Sequence, residues 1–84
     1  MILSFAESGW DDYTYWQRVD PKMIRKINNL LHDIKRTPFE GLGKPEPLQH
    51  GWSGWWSRRI NNEHRLIYKV KDDSILVAQC RYHY

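Results

Sequence analysis

The spacing that most constrains the fold of this chain lies behind Asp20 and Pro21. Met23, Ile24, Ile27, Leu30, Leu31 and Ile34 recur at i, i+1, i+4, i+7, i+8 and i+11, which draws a wide apolar stripe along one side of an α-helix. A stripe of that width has to be buried, and a sheet is the natural surface for it. Asp20 followed by Pro21 reads as an N-cap with proline at the first helical position, and Thr37 with Pro38 ends the helix. Upstream, Ile2 to Ala6 is a short apolar run suited to a buried strand. Ser8 and Asp11 have the spacing of a capping box, opening an earlier helix that carries Trp10, Tyr13 and Trp16 at helical intervals. Downstream, the segment PFEGLGKPEP, ending at Pro47, holds three prolines and two glycines and predicts a loop or a partly rigid extended connection. Trp55 to Ile60, His64 to Val70 and Ser74 to Tyr82 are rich in alternating β-branched and aromatic residues, broken by Asn61-Asn62-Glu63 and by Lys71-Asp72-Asp73. The expected fold is α+β: a small antiparallel meander with two N-terminal helices on one face, the other face open to solvent or to a ligand.

With 84 residues and no repeat, low-complexity tract or linker, the chain is expected to form a single domain, 1–84, around one small core. The lone Cys80 excludes an intramolecular disulfide, and no Cys/His group has zinc spacing. Neither a metal nor another cofactor is indicated, and a reducing cytoplasm is the expected compartment. Met1 to Ala6 lacks a basic flank, and no stretch approaches the length of a membrane span. Thirteen Lys and Arg against ten Asp and Glu give a mild net charge of +3. Its distribution is more informative. Glu7, Asp11, Asp12 and Asp20 lie early, Lys22, Arg25, Lys26, Lys35 and Arg36 share one segment, and Arg58, Arg59, Arg65 and Arg81 crowd the last third. Arginine forks onto phosphate and stacks on bases, although a solvated face with routine ion pairs has the same composition.

The chain closes on Arg81, Tyr82, His83 and Tyr84. Termini usually fray, so a histidine and a tyrosine there imply that something holds the end in place. His83 offers a proton donor or acceptor near neutral pH and Tyr84 a ring for a base to stack on; a solvated end residue and a hydrophobic plug are the plainer alternatives. Register bears on the arginines. If Asn61, Asn62 and Glu63 form a three-residue hairpin loop, Arg59 lies directly opposite Arg65; a two-residue loop sets Arg58 opposite Arg65 instead. Like charges in direct opposition are destabilising, and a phosphate between them would account for the arrangement. His83 shares parity with both arginines if both hairpin loops are odd in length and no bulge intervenes.

Taken in order, Lys44-Pro45-Glu46-Pro47-Leu48, Ser53-Gly54, Trp56-Ser57-Arg58-Arg59-Ile60, Glu63-His64-Arg65-Leu66 with Tyr68, and Cys80-Arg81-Tyr82-His83-Tyr84 resemble the YoeB (Txe) toxins of the RelE/ParE superfamily. The resemblance runs the length of the chain, taking in the Trp-Asp-Asp-Tyr of the first helix and the turn Arg36 to Gly41. It implies a RelE-like microbial ribonuclease fold and a type II toxin that enters the A site of the 70S ribosome and cleaves mRNA there, inhibiting translation. It also implies a cognate, YefM-like antitoxin; a homodimer, and operator DNA bound through the antitoxin complex, are compatible with it. The position matching the family's general base is Glu46 and that matching its general acid is His83. Arg59 and Arg65 match the phosphate-binding and charge-stabilising positions, and Tyr84 the terminal aromatic that positions substrate. Gln49 stands where the family usually has a basic residue, and Trp52 where a smaller apolar one is common. Lys44, Gln49 and Arg58 are further candidates for contact with RNA or the ribosome. The chemistry is self-consistent. RNA carries its own nucleophile, the 2′-OH, so cleavage to a 2′,3′-cyclic phosphate needs a base, an acid and cations at the phosphate, and no metal. Two other readings remain at this point, a non-catalytic toxin of the same superfamily that poisons DNA gyrase and a non-enzymatic RNA-binding domain.

Overall fold

The computed structural model describes residues 1–83. In chain order it has β1 (Ile2–Phe5), α1 (Glu7–Val19), α2 (Pro21–Arg36), β2 (Glu46–Pro47), a 3₁₀ turn (His50–Trp52), β3 (Trp56–Arg59), β4 (Arg65–Lys71) and β5 (Ser74–Gln79). The strands form one five-stranded sheet in the order β1-β5-β4-β3-β2.

The helix behind Asp20 forms as its spacing predicts. The Asp20 carboxylate accepts from the Lys22 N–H at 3.1 Å, while its own backbone N–H closes α1 on the Trp16 carbonyl. One residue thus ends one helix and starts the next. Met23, Ile27, Leu30, Leu31 and Ile34 are buried against Leu66, Tyr68, Ile75 and Val77 of the sheet. Ile27 and Ile34 are completely enclosed, each contributing about 1.5–3 kcal/mol of burial. Helix α1 sits close on β5: a Cβ at Gly9 would collide with the carbonyl oxygen of Val77.

Three local expectations are corrected. Ser8 does not cap α1, whose N-cap is Ala6 without a side-chain bond. Its hydroxyl instead donates to the Ala78 carbonyl at 2.6 Å, because Ala78 is the extra residue of a bulge where Ile67 opposes Gln79 but Tyr68 opposes Val77. The N-terminal run is not a buried antiparallel element. It is an edge strand, parallel to β5, so the sheet is mixed, and Ile2 is 67% exposed. Finally, β5 stops at Gln79 instead of continuing to Tyr82, because side chains on other elements claim the next backbone groups.

Arg58 is a larger correction. Trp56 and Arg58 point toward the helices while Ser57 and Arg59 point away, as strand alternation requires. Arg58 is fully buried, and all five of its N–H groups are used. Nε donates to the Tyr68 hydroxyl, Nη1 to Asp33 Oδ2 and the Leu42 carbonyl, and Nη2 to the carbonyls of Thr37 and Glu40. It fastens the loop after α2 to β3 and has no surface to offer RNA. Asp33 receives the other side of this network. The Leu42 N–H first, then Arg58 and Arg36, hold its carboxyl down at about 2, below the ordinary 3.8. Because the folded value is the lower one, this contribution to stability is complete above 3.8 and disappears as pH falls through about 2. Melting temperatures taken across that acid window should therefore fall in the wild type and converge on those of Asp33→Asn; parallel curves would contradict it.

Candidate active site

The meander lays the candidate residues out in rows across the face turned away from the helices. Glu46 pairs with Ser57, Ser57 with Ile67 and Ile67 with Gln79, making one row. In the next row Arg59 pairs directly with Arg65, the register that a three-residue hairpin loop predicts. Beyond Arg65 lies the C-terminal tail, whose Tyr82 carbonyl accepts from the Arg65 N–H at 3.0 Å. The odd-loop, bulge-free parity does not bring His83 here, since the bulge at Ala78 breaks it. Instead the chain leaves β5, turns with Tyr82 at φ 63° and comes back beside β4. His83 Nε2 lies 3.5 Å from the Asn62 carbonyl, and Gln79 Nε2 is 3.5 Å from the His83 carbonyl. Glu46, Arg59 and His83 are exposed. Arg65 is only 8% exposed, its Nη1 committed to the carbonyls of Asn61 and His64, which fixes the plane of its guanidinium. From β2 to β5 is three strand spacings, about 14 Å.

This face is only partly open. Leu48, Ile67 and Ala78 form a second buried cluster, with Trp52 and Trp55 packed against it. Trp52 meets Trp55 edge-on at 5.6 Å, so its size serves packing. Beside that cluster a groove of about 440 Å³ is lined by residues 46 to 52, which brings Gln49 to the same opening as Glu46. Lys44 is exposed at φ 52°, two residues before Glu46. Tyr84 lies outside the described residues. The basic residues Lys22, Arg25, Lys26, Lys35 and Arg36 are all exposed on the outer side of α2, whose only acid, Asp33, is buried. Among the described residues no three His, Cys, Asp or Glu side chains are grouped as metal ligands would be, and no helix is long and apolar enough to cross a membrane. Cys80 is buried, and burial pushes its thiol up to about 12, which makes it a hydrophobe and not a nucleophile.

Sequence reasoning missed the residues that hold the tail. Asp12 and Trp16 of α1, Tyr15 beside them, and His64 at the hairpin all contact residues 80–82. The available signal was that a terminus without a strand partner still has backbone groups to satisfy.

A family model described as "YoeB-like toxin of bacterial type II toxin-antitoxin system" matches residues 5–84. The chain is 62% identical to Toxin YoeB of Escherichia coli strain K12 over the full length of both. The YoeB/ParE toxin from Agrobacterium tumefaciens superposes with a TM-score of 0.98 at 53% identity, each chain covered completely. The toxin within a heterotetrameric YoeB-YefM complex from Staphylococcus aureus superposes at 0.93 and 48% identity, covering 100% of this chain and 98% of that one.

Proposed function

The chain belongs to the YoeB-like toxins of bacterial type II toxin–antitoxin systems, and from that premise we propose that it is a ribosome-dependent endoribonuclease cleaving mRNA in the A site of the 70S ribosome. Glu46 takes the proton of the 2′-OH, which attacks the adjacent phosphorus. The P–O5′ bond breaks, His83 delivers a proton to the departing 5′-oxygen, and a 2′,3′-cyclic phosphate is left behind. Arg59 and Arg65 stabilise the dianionic phosphorane, and Tyr84 positions a base. A YefM-like antitoxin covers this face and silences it.

The observation that carries the reading is the direct opposition of Arg59 and Arg65 on the face that also bears Glu46, with the tail holding His83 hydrogen-bonded alongside Arg65. Two cations facing each other across a ladder are destabilising by themselves, and an anion between them removes the penalty. Mapping mRNA 5′ ends on translating ribosomes tests it. Wild type should produce new ends within A-site codons and His83→Gln should not. Arrest without new ends in the wild type would favour a non-catalytic toxin of the superfamily.

Gln49 allows a separate test of charge. At the groove beside Glu46, Gln49→Lys should tighten ribosome binding and steepen its salt dependence by a slope of about 0.7 for one added single-strand phosphate contact. The pH profile of cleavage should keep its shape. An unchanged salt slope would place Gln49 away from the phosphates.

A further inference from the structure

Past Gln79 the chain has left the sheet, yet its backbone groups are not surrendered to water. The Cys80 N–H donates to Asp12 Oδ2 at 3.0 Å and the Cys80 carbonyl accepts from Trp16 Nε1 at 2.9 Å. The Tyr82 N–H donates to His64 Nδ1 at 2.7 Å, and the Tyr82 carbonyl accepts from the Arg65 N–H. The Arg81 guanidinium lies between two rings, 3.6 Å from the centroid of Tyr15 and 4.6 Å from that of Tyr82. Side chains of α1 and of the hairpin therefore do for this tail what a neighbouring strand does elsewhere. Tyr82 needs such support, because a left-handed φ is unfavourable for a residue with a side chain.

His64 is the member of this set with the most specific chemistry. The residue is 6% exposed, and its ring meets Trp16 edge-on at 4.9 Å. A backbone N–H can only donate, so Nδ1 must present its lone pair to Tyr82, and the ring proton then sits on Nε2, facing Glu63 Oε1 at 3.4 Å. We infer that His64 is a positioning residue for His83: through the bond from its Nδ1 to the Tyr82 N–H it fixes the left-handed turn one residue before His83 and so sets where that imidazole stands, its Nε2 3.5 Å from the Asn62 carbonyl. The inference rests on the reading of His83 as general acid. The charged and titratable groups facing the ring are Glu63 on the hairpin, Asp12 and Tyr15 on α1, Arg65 on β4, and Arg81 and Tyr82 in the tail.

Two readouts decide it, one of them independent of cleavage. Amide hydrogen exchange in the free wild-type toxin should show Tyr82 protected by the bond to His64 Nδ1. His64→Asn, whose Oδ1 replaces the Nδ1 lone pair as acceptor, should keep that protection, and His64→Leu should lose it. In single-turnover assays at saturating toxin, His64→Leu should cleave roughly 10- to 10²-fold more slowly, the scale expected when a catalytic group is displaced by about 1 Å. Ribosome affinity should be unchanged and His64→Asn should recover most of the rate. Tyr82 protection that survives in His64→Leu overturns the inference. Full cleavage by a His64→Leu protein that has lost Tyr82 protection overturns it as well. If His83→Gln cleaves as fast as wild type, the acid assignment fails and takes the positioning role with it, while the exchange data still report whether the clamp exists.

Discussion

On the proposed mechanism, Glu46→Ala should lower the single-turnover rate of mRNA cleavage on programmed ribosomes by roughly 10²- to 10⁴-fold, the share of a general base in such a reaction. Ribosome binding changes little, because the carboxylate is exposed on the short strand β2 and makes no part of the buried core. His83→Ala has a loss of the same order. The double variant falls only slightly below the worse single one, since an acid and a base that serve one transition state act as a unit. Arg65→Met differs in kind. Its guanidinium is braced by the Asn61 and His64 carbonyls, so its removal weakens both the rate and the anchoring of the hairpin. A Glu46→Ala protein that cleaves at the full rate would sink the base assignment and leave the reaction to the cations.

Arg58→Met destabilises the fold by about 3–5 kcal/mol, the usual result of removing one partner from a buried ion pair. A small domain has about 5–15 kcal/mol in total, so the variant should melt far below the wild type. Asp33 is then left without its strongest side-chain partner, 2.6 Å away in the wild type, and the Tyr68 hydroxyl and the carbonyls of Thr37, Glu40 and Leu42 each lose a donated bond. Thermal or urea unfolding of the isolated toxin measures it. Adding Asp33→Leu should restore part of the loss, because an apolar pair of similar volume relieves the unpaired charge. If Arg58→Met melts with the wild type, the buried fork is not what fastens the loop to β3.

What the residues revealed in advance was what neighbours along the chain decide. The stripe from Met23 to Ile34, the cap at Asp20 and the stop at Thr37 depend on a few consecutive positions, and they stand as expected. The opposition of Arg59 and Arg65 was one of two registers the sequence left open, and the strands adopt the one that a three-residue loop gives. Glu46 was not distinguishable from any surface glutamate by local chemistry. Its place in the site comes from a two-residue strand whose partner, Ser57, no local pattern names. The bulge at Ala78, the parallel edge of β1 and the cover of Leu48, Trp52 and Trp55 likewise depend on contacts between distant segments. Arg58 was misjudged for an avoidable reason. Adjacent strand residues face opposite ways, so if Arg59 looks toward the site, Arg58 has to look into the helices.

The pairing of β1 with β5 joins the second residue of the protein to the seventy-fourth, and the tail that carries His83 is held by side chains of α1 and the hairpin and by the Arg65 backbone of β4. Such distant pairings are slow to form, since the intervening chain must be closed into a loop before they are rewarded. Order of synthesis then matters. While the chain is being made, α1 and α2 emerge first and can form on their own, but neither the closed sheet nor the docked tail can exist until β5 and residues 80–83 have been made. A nascent copy therefore lacks the face that brings Glu46, Arg59, Arg65 and the tail together. The candidate site is the last part of this toxin to be completed.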